Sequence, residues 1–122
     1  MSTLKSYRDL DVWKKSIELA EMVYQLSAKL PAEEKFGLTS QVRRAAVSIP
    51  ANIAEGAERA GTKEFLQFLG IASGSLAETE TLLILAERLG LVLAQDSSPL
   101  LERAASVGRM LNGLKRSLRS RA

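Results

Sequence analysis

Two residue types are missing from this 122-residue chain, which contains no cysteine and no histidine. Without cysteine there is no disulfide to support a small secreted domain. The two absences together remove the usual ligands of zinc and haem, as well as cysteine nucleophiles and histidine bases. We therefore expect no metal and no other cofactor, and the composition favours a protein that is not an enzyme.

Long apolar runs are absent as well. No stretch of 18 consecutive apolar residues occurs, so no membrane-spanning segment is predicted. Residues 1–11 are polar and lack the apolar region of a secretory signal, which predicts a cytoplasmic protein. The apolar fraction of 46% and the charged fraction of 25% are typical of an ordinary soluble domain with one core.

Positive charge is concentrated at the end of the chain. The net charge is +3, but residues 103–122 contain six basic residues and no acidic residue, so the rest of the chain carries −3. A basic end of this kind indicates a local contact with an anionic partner. The alternative is a solvated helix face that keeps the protein soluble.

Hydrophobic periodicity predicts four helices and no strand. The helices are expected at residues 10–30, 36–57, 63–89 and 99–118. Short connections favour antiparallel neighbours, so the predicted fold is an all-α, antiparallel up-and-down four-helix bundle over residues 10–119. Residues 1–9 are predicted to form an N-terminal arm and residues 120–122 a frayed tail.

Caps and prolines set the predicted helix ends. Asp9 is a candidate cap for the first helix. Ser98 followed by Pro99 predicts the start of the fourth helix, because proline suits the first helical position. Pro50 lies inside the second helix, where it has no N–H to donate and its ring crowds the carbonyl of Ala46. Since the apolar pattern continues in phase past Pro50, we predict one helix that is kinked there.

Each predicted helix carries an apolar stripe that is expected to form the core. In the first helix two adjacent rows, which begin at Val12 and Trp13, make a wide apolar face. The stripe of the second helix is Leu38, Val42, Ala46, Ile49 and Ile53. The stripe of the third helix is Phe65, Leu69, Ala72, Leu76, Thr79, Leu83 and Ala86. The stripe of the fourth helix is a heptad seam of Leu100, Ala104, Val107, Leu111, Leu114 and Leu118.

A second stripe on the third helix is not needed for this core. It lies about 100° round from the first stripe, and its members are Gly70, Gly74, Ala77, Thr81 and Ile84. Each glycine costs about 1 kcal/mol relative to alanine in a helix, whereas its small size lets another backbone approach closely. We predict a subunit interface here. The alternative is that a neighbouring helix, a loop or the N-terminal arm of the same chain covers the stripe.

The second helix also carries a polar stripe, composed of Gln41, Arg44, Ser48, Asn52, Glu55 and Arg59, with Arg43 beside it. Small residues interleave the stripe, which indicates close approach by a partner, and Asn52 and Glu55 are assigned to the predicted subunit interface. The alternative is an ordinary solvated face. Carboxylate pairs at helical spacing, such as Glu55 and Glu58, would form a di-iron site only together with histidine, so no metal site and no catalytic residue is predicted.

Three segments resemble one protein family. They are YRDLDVW at 7–13, QVRRAAVSIPANIAEG at 41–56 and FLQFLGIASGSLAETE at 65–80. The family is the bacterial four-helix-bundle family of proteins encoded in intervening sequences of 23S ribosomal RNA genes, which includes the accessory variability proteins of diversity-generating retroelements. The similarity extends over residues 7–115, and SIPANIAEG is its most specific part.

The resemblance implies a four-helix bundle that assembles into a ring of five subunits. For the accessory branch it also implies a basic surface that binds nucleic acid and a reverse transcriptase. This chain is only mildly basic in comparison, and the resemblance supplies no catalytic residues.

Two functional hypotheses follow. The first is a non-enzymatic oligomeric accessory protein that binds structured RNA, or an RNA–DNA intermediate, through backbone phosphates. Its candidate contacts are Arg43, Arg44, Arg59, Lys63, Arg109, Lys115, Arg116 and Arg119. The second is a ring-shaped scaffold that binds a partner protein and makes no contact with nucleic acid. Aromatic residues suited to base stacking are scarce, so sequence-specific recognition of single strands is not expected.

Overall fold

The computed structural model of the protein describes residues 6–121, and within them all regular structure is helical. The four long helices are α1 (Asp11–Ser27), α2 (Leu38–Ala57), α3 (Thr62–Arg88) and α4 (Ala94–Arg119). Two short 3-10 helices, Tyr7–Asp9 and Ala32–Glu34, precede α1 and α2. The predicted all-α four-helix bundle is confirmed.

Consecutive helices contact each other in antiparallel order, so that residue numbers fall along one helix as they rise along its neighbour. Between α2 and α3, Gly56 lies against Phe68 near one end, and Ser48 is hydrogen-bonded to Ser75 further along. The pair α3 and α4 has the same order, since Lys115 contacts Ser73 and Ser97 contacts Glu87, and α4 closes the bundle by packing against α1. The connections 28–37 and 89–93 therefore lie at one end of the bundle, called here the Phe36 end. The connection 58–61 lies at the other, called the Arg59 end.

The core is formed by the predicted stripes. All five stripe residues of α2 are buried, as are all those of α3 except the half-buried Phe65, and all those of α4 except the half-buried Leu114. In α1 the row beginning at Val12 enters the core, whereas Tyr24 of the other row is 46% exposed. The hydroxyl of the buried Thr79 is not left without a partner, because it donates to the Ser75 carbonyl at 2.8 Å.

α2 continues through Pro50 as one helix, as predicted. The kink expected at Pro50 stays a prediction. The close approach of α2 to α3 depends on Gly56, which is buried: a Cβ atom placed there would lie 2.7 Å from Cβ of Phe68. Gly56 ends the segment SIPANIAEG, so the glycine of that segment serves packing inside one chain.

The start of α1 differs from the prediction. Leu10 occupies the N-cap position, and α1 begins at Asp11 and ends at Ser27. Asp9 caps the preceding 3-10 helix instead, because its carboxylate accepts the N–H of Ser6 at 3.3 Å while the Ser6 hydroxyl accepts the N–H of Arg8 at 3.0 Å. Residues 1–5 of the predicted arm and Ala122 of the predicted tail lie outside the described residues.

The start of α4 also differs, because α4 begins at Ala94 and includes Pro99 in its second turn. Pro99 is exposed, so water can reach the carbonyl that lacks its donor. Ser97 is fully buried, and its hydroxyl donates to a carboxylate oxygen of Glu87 on α3 at 2.7 Å. This contact holds the first turn of α4 in place, and it outweighs the preference of proline for the first helical position.

Candidate nucleic-acid interface

The eight basic residues predicted to contact nucleic acid separate into three groups. Arg43 and Arg44 lie near the start of α2, at the Phe36 end. Arg59 lies in the connection between α2 and α3, and Lys63 lies just after it, at the Arg59 end. The remaining four, Arg109, Lys115, Arg116 and Arg119, follow the second half of α4 toward the Arg59 end. The fold thus gathers most of these charges toward one end and leaves Arg43 and Arg44 at the other.

Arg43 is occupied within the chain. Its Nε donates to the Ser27 hydroxyl at 2.7 Å, and a terminal nitrogen donates to the Tyr24 carbonyl at 3.4 Å. The guanidinium also lies 4.6 Å from the centre of the Tyr24 ring. Arg43 therefore fastens the end of α1 to α2, whereas its neighbour Arg44 is exposed to solvent.

Arg59 and Lys63 lie on the surface. Arg59 forms an exposed ion pair with Glu55 at 2.9 Å, and its guanidinium lies 4.9 Å from the centre of the Phe68 ring. Exposed ion pairs contribute about 0 to 1 kcal/mol, so a phosphate can replace the carboxylate at little cost. Lys63, the second residue of α3, is exposed.

The four basic residues of α4 form two pairs along the helix. Arg109 and Arg116 are seven residues apart, or about two turns, and both are exposed. Lys115 and Arg119 are four residues apart, and Lys115 lies on the side toward α3. Lys115 is half-buried and donates to the Ser73 hydroxyl at 2.5 Å, and burial, followed by the nearby charge of Arg119, lowers the pKa of its ammonium group.

The C-terminal half of α4 therefore presents an exposed basic face, formed by Arg109, Arg116 and Arg119, and the exposed Arg121 follows just after the end of the helix. Arg103, the first basic residue of the C-terminal cluster, is instead paired with Glu18 of α1. Residues 104–121 contain no carboxylate, so no acidic side chain lies on the half of α4 that carries the basic face, although Glu102 lies about two turns before Arg109 on the same helix.

The small stripe of α3, predicted as a subunit interface, is exposed along its whole length. A Cβ atom added at Gly70 or Gly74 would meet no other part of the described chain within 4 Å. Ile84, in the same stripe, is 46% exposed. No element within residues 6–121 covers the stripe, so the alternative of coverage inside one chain is wrong for that part of the chain.

The two interface candidates on α2 make contacts inside the chain. The side-chain amide of Asn52 donates to the Ser48 carbonyl at 2.8 Å and to the Ser48 hydroxyl at 2.9 Å. The Ser48 hydroxyl in turn lies 2.8 Å from the Ser75 hydroxyl of α3. Asn52 thus belongs to a polar cluster between α2 and α3, and Glu55 holds Arg59 on the surface.

Two surface features were not predicted from the sequence. One is a shallow, mainly apolar groove of about 490 Å³ between α1 and α2, lined by Ile17, Ala20, Tyr24 and Val47 together with the polar side chains of Glu21 and Gln25. The other is a depression of about 410 Å³ at the Phe36 end, where Phe36 is 88% exposed. The second helix predicted from the sequence begins at Phe36. In the structure α2 begins at Leu38, so Phe36 lies in the preceding connection, where its side chain is exposed.

By length and composition alone, α3 could cross a membrane. Its most apolar stretch of 18 residues is 33% buried inside the bundle. The core helix of a soluble protein meets the same criteria. Within residues 6–121, no three side chains of the metal-binding types lie close enough together to hold a metal ion.

The chain matches the sequence profile of the family described as 23S rRNA-intervening sequence protein over residues 8–113. It belongs to this family. The description names no catalysed reaction. A solved crystal structure of a protein of unknown function from the S23 ribosomal protein family of Bacteroides thetaiotaomicron is similar, with 28% sequence identity and a TM-score of 0.79. The similarity covers 85% of this chain and 97% of the other. No functionally curated protein matches the chain.

Proposed function

We propose that this member of the 23S rRNA-intervening sequence protein family is a non-enzymatic, oligomeric accessory protein that binds structured nucleic acid in the cytoplasm. The nucleic acid is RNA or an RNA–DNA intermediate, and the contacts are with backbone phosphates. The observation that carries the proposal is the basic face of α4, which the fold leaves exposed. Membership of a family named for intervening sequences of 23S rRNA supports RNA as the partner.

The charges of the basic face are not needed by the fold. Arg103 is paired inside the chain, whereas Arg109, Arg116 and Arg119 are exposed, and no carboxylate lies on the same half of α4. Like charges on one helix face repel one another, and an anionic polymer relieves that repulsion. Arg109 and Arg119 are ten residues apart, or about 15 Å along the helix, which allows contacts with several phosphates of one strand.

Oligomerisation is proposed from two different faces on opposite sides of the bundle. The small stripe of α3 borders α4, whereas the apolar groove lies between α1 and α2. Since each helix packs only against its two neighbours in the order α1, α2, α3, α4, these faces point in opposite directions. Contacts between unlike faces join subunits head to tail, and they close into a ring when the rotation allows. A homopentamer is the ring that we propose.

The salt dependence of binding tests the nucleic-acid proposal. Binding of a structured RNA and of a random duplex would be measured by fluorescence anisotropy from low to physiological salt. Replacing Arg116 and Arg119 with glutamine should lower the slope of log affinity against log salt by about 1.4 to 1.8, because each lost phosphate contact removes about 0.7 to 0.9.

A matched control removes two exposed positive charges elsewhere, with Lys14→Gln and Arg88→Gln. The control should change the slope by less than one contact, about 0.7. Equal effects of the two double variants would show that the basic face is not the interface. If the native protein binds neither nucleic acid at low salt, where electrostatic attraction is strongest, the proposed function is wrong.

Light scattering tests the ring. The native protein should have about five times the 13.3 kDa mass of one chain. Gly74→Leu should yield a folded chain of smaller assembly size, because the position is open within the chain but would be covered in the ring. Gly113→Leu on α4 is the control, since a Cβ there also meets no described atom within 4 Å. A native monomer at micromolar concentration would contradict the proposal.

One observation favours the second candidate function, a ring-shaped scaffold for a partner protein such as a reverse transcriptase. Two large apolar residues of α3, Ile71 and Leu85, are 49% and 43% exposed beside the small stripe. Exposed apolar patches often mark protein interfaces. A scaffold would assemble normally and yet show no salt-dependent binding to RNA.

A further inference from the structure

The depression at the Phe36 end combines aromatic rings with positive charge. It lies between the end of α1 and the start of α2, and its lining includes Tyr24, Lys35, Phe36, Arg43 and Arg44. The hydroxyl-bearing residues Thr39 and Ser40 complete it, and within the described chain no carboxylate lines it. Its volume of about 410 Å³ is in the range of small-ligand sites.

Phe36 is the most exposed large apolar side chain among residues 6–121, at 88%. It lies outside the core cluster, and the ammonium group of Lys35 is 5.5 Å from the centre of its ring. Burying a phenylalanine side chain contributes about 1.5 to 3 kcal/mol, so the fold gives up that contribution here. An exposed aromatic ring beside a cation is the arrangement on which a nucleic-acid base can stack.

One of the charges around Phe36, that of Arg43, is held in place by the fold. Arg43 is fixed by its bonds to Ser27 and Tyr24, so its charge stays at the edge of the depression. Glu34, the carboxylate nearest to Phe36 in the sequence, accepts the N–H of Leu38 at 3.1 Å and caps α2. Among residues 6–121, Lys35, Arg43 and Arg44 form no ion pair, so their charges are available to an anionic partner.

A second copy of the chain is a poor occupant of this depression. The apolar groove proposed for the ring shares Tyr24 with the depression, but its other lining residues lie along the side of the bundle, whereas Phe36 lies at its end. An apolar subunit surface would also remove Lys35, Arg43 and Arg44 from water without offering opposite charge, which is unfavourable. An occupant with both a flat ring and a negative group satisfies the whole lining.

We propose that this depression binds an unpaired nucleotide of an RNA strand. The base stacks on Phe36, and the flanking phosphates contact Lys35 and Arg44. This inference rests on the proposed function and narrows it, because it assigns single-stranded segments of the RNA to the Phe36 end and leaves helical segments to the basic face of α4. Stacking on an aromatic ring accepts every base, so the site tolerates all sequences.

The test compares a single-stranded oligouridylate of about twelve nucleotides with an RNA duplex of about the same length. Phe36→Ala should weaken binding of the single strand by about 5- to 150-fold, which corresponds to about 1 to 3 kcal/mol for one stacked base. Binding of the duplex should change by less than about twofold, because a paired base cannot reach the ring. The exposure of Phe36 means that the fold should survive, as circular dichroism would check.

Two further variants separate stacking from general loss of apolar surface. Phe36→Tyr keeps the ring and should retain the affinity of the native protein for the single strand. Leu89→Ala removes a 60% exposed apolar side chain at the same end of the bundle and should leave the affinity unchanged. If Leu89→Ala weakens binding as much as Phe36→Ala, the loss does not come from stacking.

The outcomes distinguish this inference from the proposed function. If the single strand and the duplex both bind the native protein but Phe36→Ala changes neither, or changes both equally, the stacking site is wrong and phosphate binding stands. If the native protein binds only the duplex, the stacking site is likewise wrong. If neither RNA binds at low salt, the proposed function fails and the stacking site fails with it.

Discussion

Replacing Gly56 with alanine should destabilise the protein, although alanine is the better helix former. The new Cβ would lie 2.7 Å from Cβ of Phe68 and 3.3 Å from the carbonyl oxygen of Phe65. Neither atom can rotate away, because both are fixed relative to the backbone of α3. Since ordinary contacts begin at 3.4 Å, α2 and α3 must separate locally by about 0.7 Å.

The expected magnitude follows from two opposing effects. Overpacking of a closely packed site costs about 1 to 3 kcal/mol, and the upper part of that range applies where no side chain can move aside. The higher helix propensity of alanine stabilises the folded chain by about 1 kcal/mol relative to glycine. The net loss in the free energy of unfolding is then about 2 kcal/mol, which for a chain of this size lowers Tm by about 8 °C.

Thermal unfolding followed by circular dichroism measures this change, with all proteins at one concentration because assembly affects Tm. The matched control is Gly113→Ala on α4, where a Cβ meets no atom of residues 6–121 within 4 Å. The control should be more stable than the native protein by about 1 kcal/mol. A Gly56→Ala variant that melts at or above the native Tm would refute the close approach of α2 and α3.

Two further predictions concern basic residues that the fold uses. Burial, and then the charge of Arg119, lower the pKa of Lys115, so the folded chain releases this proton before the unfolded chain does, and stability should rise with pH just below the ordinary lysine pKa of about 10.4. Lys115→Met should abolish that rise in urea titrations at pH values from about 8 to about 11. Arg43→Lys keeps the charge but loses the bond to Ser27, so it should lower the free energy of unfolding by about 1 kcal/mol. Arg44→Lys should change it by less than about 0.5 kcal/mol, and equal effects would contradict the assigned role of Arg43.

The fold was predictable because apolar spacing repeats over many turns. The seam of α4 keeps its period from Leu100 to Leu118, and one misread residue would not alter the face that it defines. Even Thr79 was correctly placed in the core, because its position in the seam outweighs its polarity and its hydroxyl finds the carbonyl of Ser75 within the same helix.

Helix ends were less predictable, because they depend on single contacts. Ser98 and Pro99 form a good local start signal, yet the bond from Ser97 to Glu87 begins α4 at Ala94. That bond joins residues ten apart on different helices, and nothing in the local sequence indicates it. The start of α2 was likewise misplaced, because the predicted helix includes Phe36, whereas α2 begins at Leu38.

The sequence predicted which basic residues belong to the candidate site, but not which of them are free to contact a partner. The sequence shows that the end of the chain is basic, but it does not show that Arg103 is paired with Glu18 or that Lys115 is hydrogen-bonded to Ser73. Pairing across helices decides which charges are left for a partner. The three exposed arginines of α4 are therefore a sharper hypothesis than the eight basic residues from which they come.

The glycines show why residue type alone could not locate the interfaces. Gly56, Gly70 and Gly74 all lie inside helices, where each lowers helix propensity by a similar amount relative to alanine. Gly56 is compensated by the close packing of α3, whereas the described chain contains no group near the open sides of Gly70 and Gly74. If an isolated chain were the functional form, alanine at either open position would add helix stability and lose nothing. The proposed ring supplies the missing compensation, and it predicts that alanine at Gly74 raises the stability of the chain while it weakens assembly.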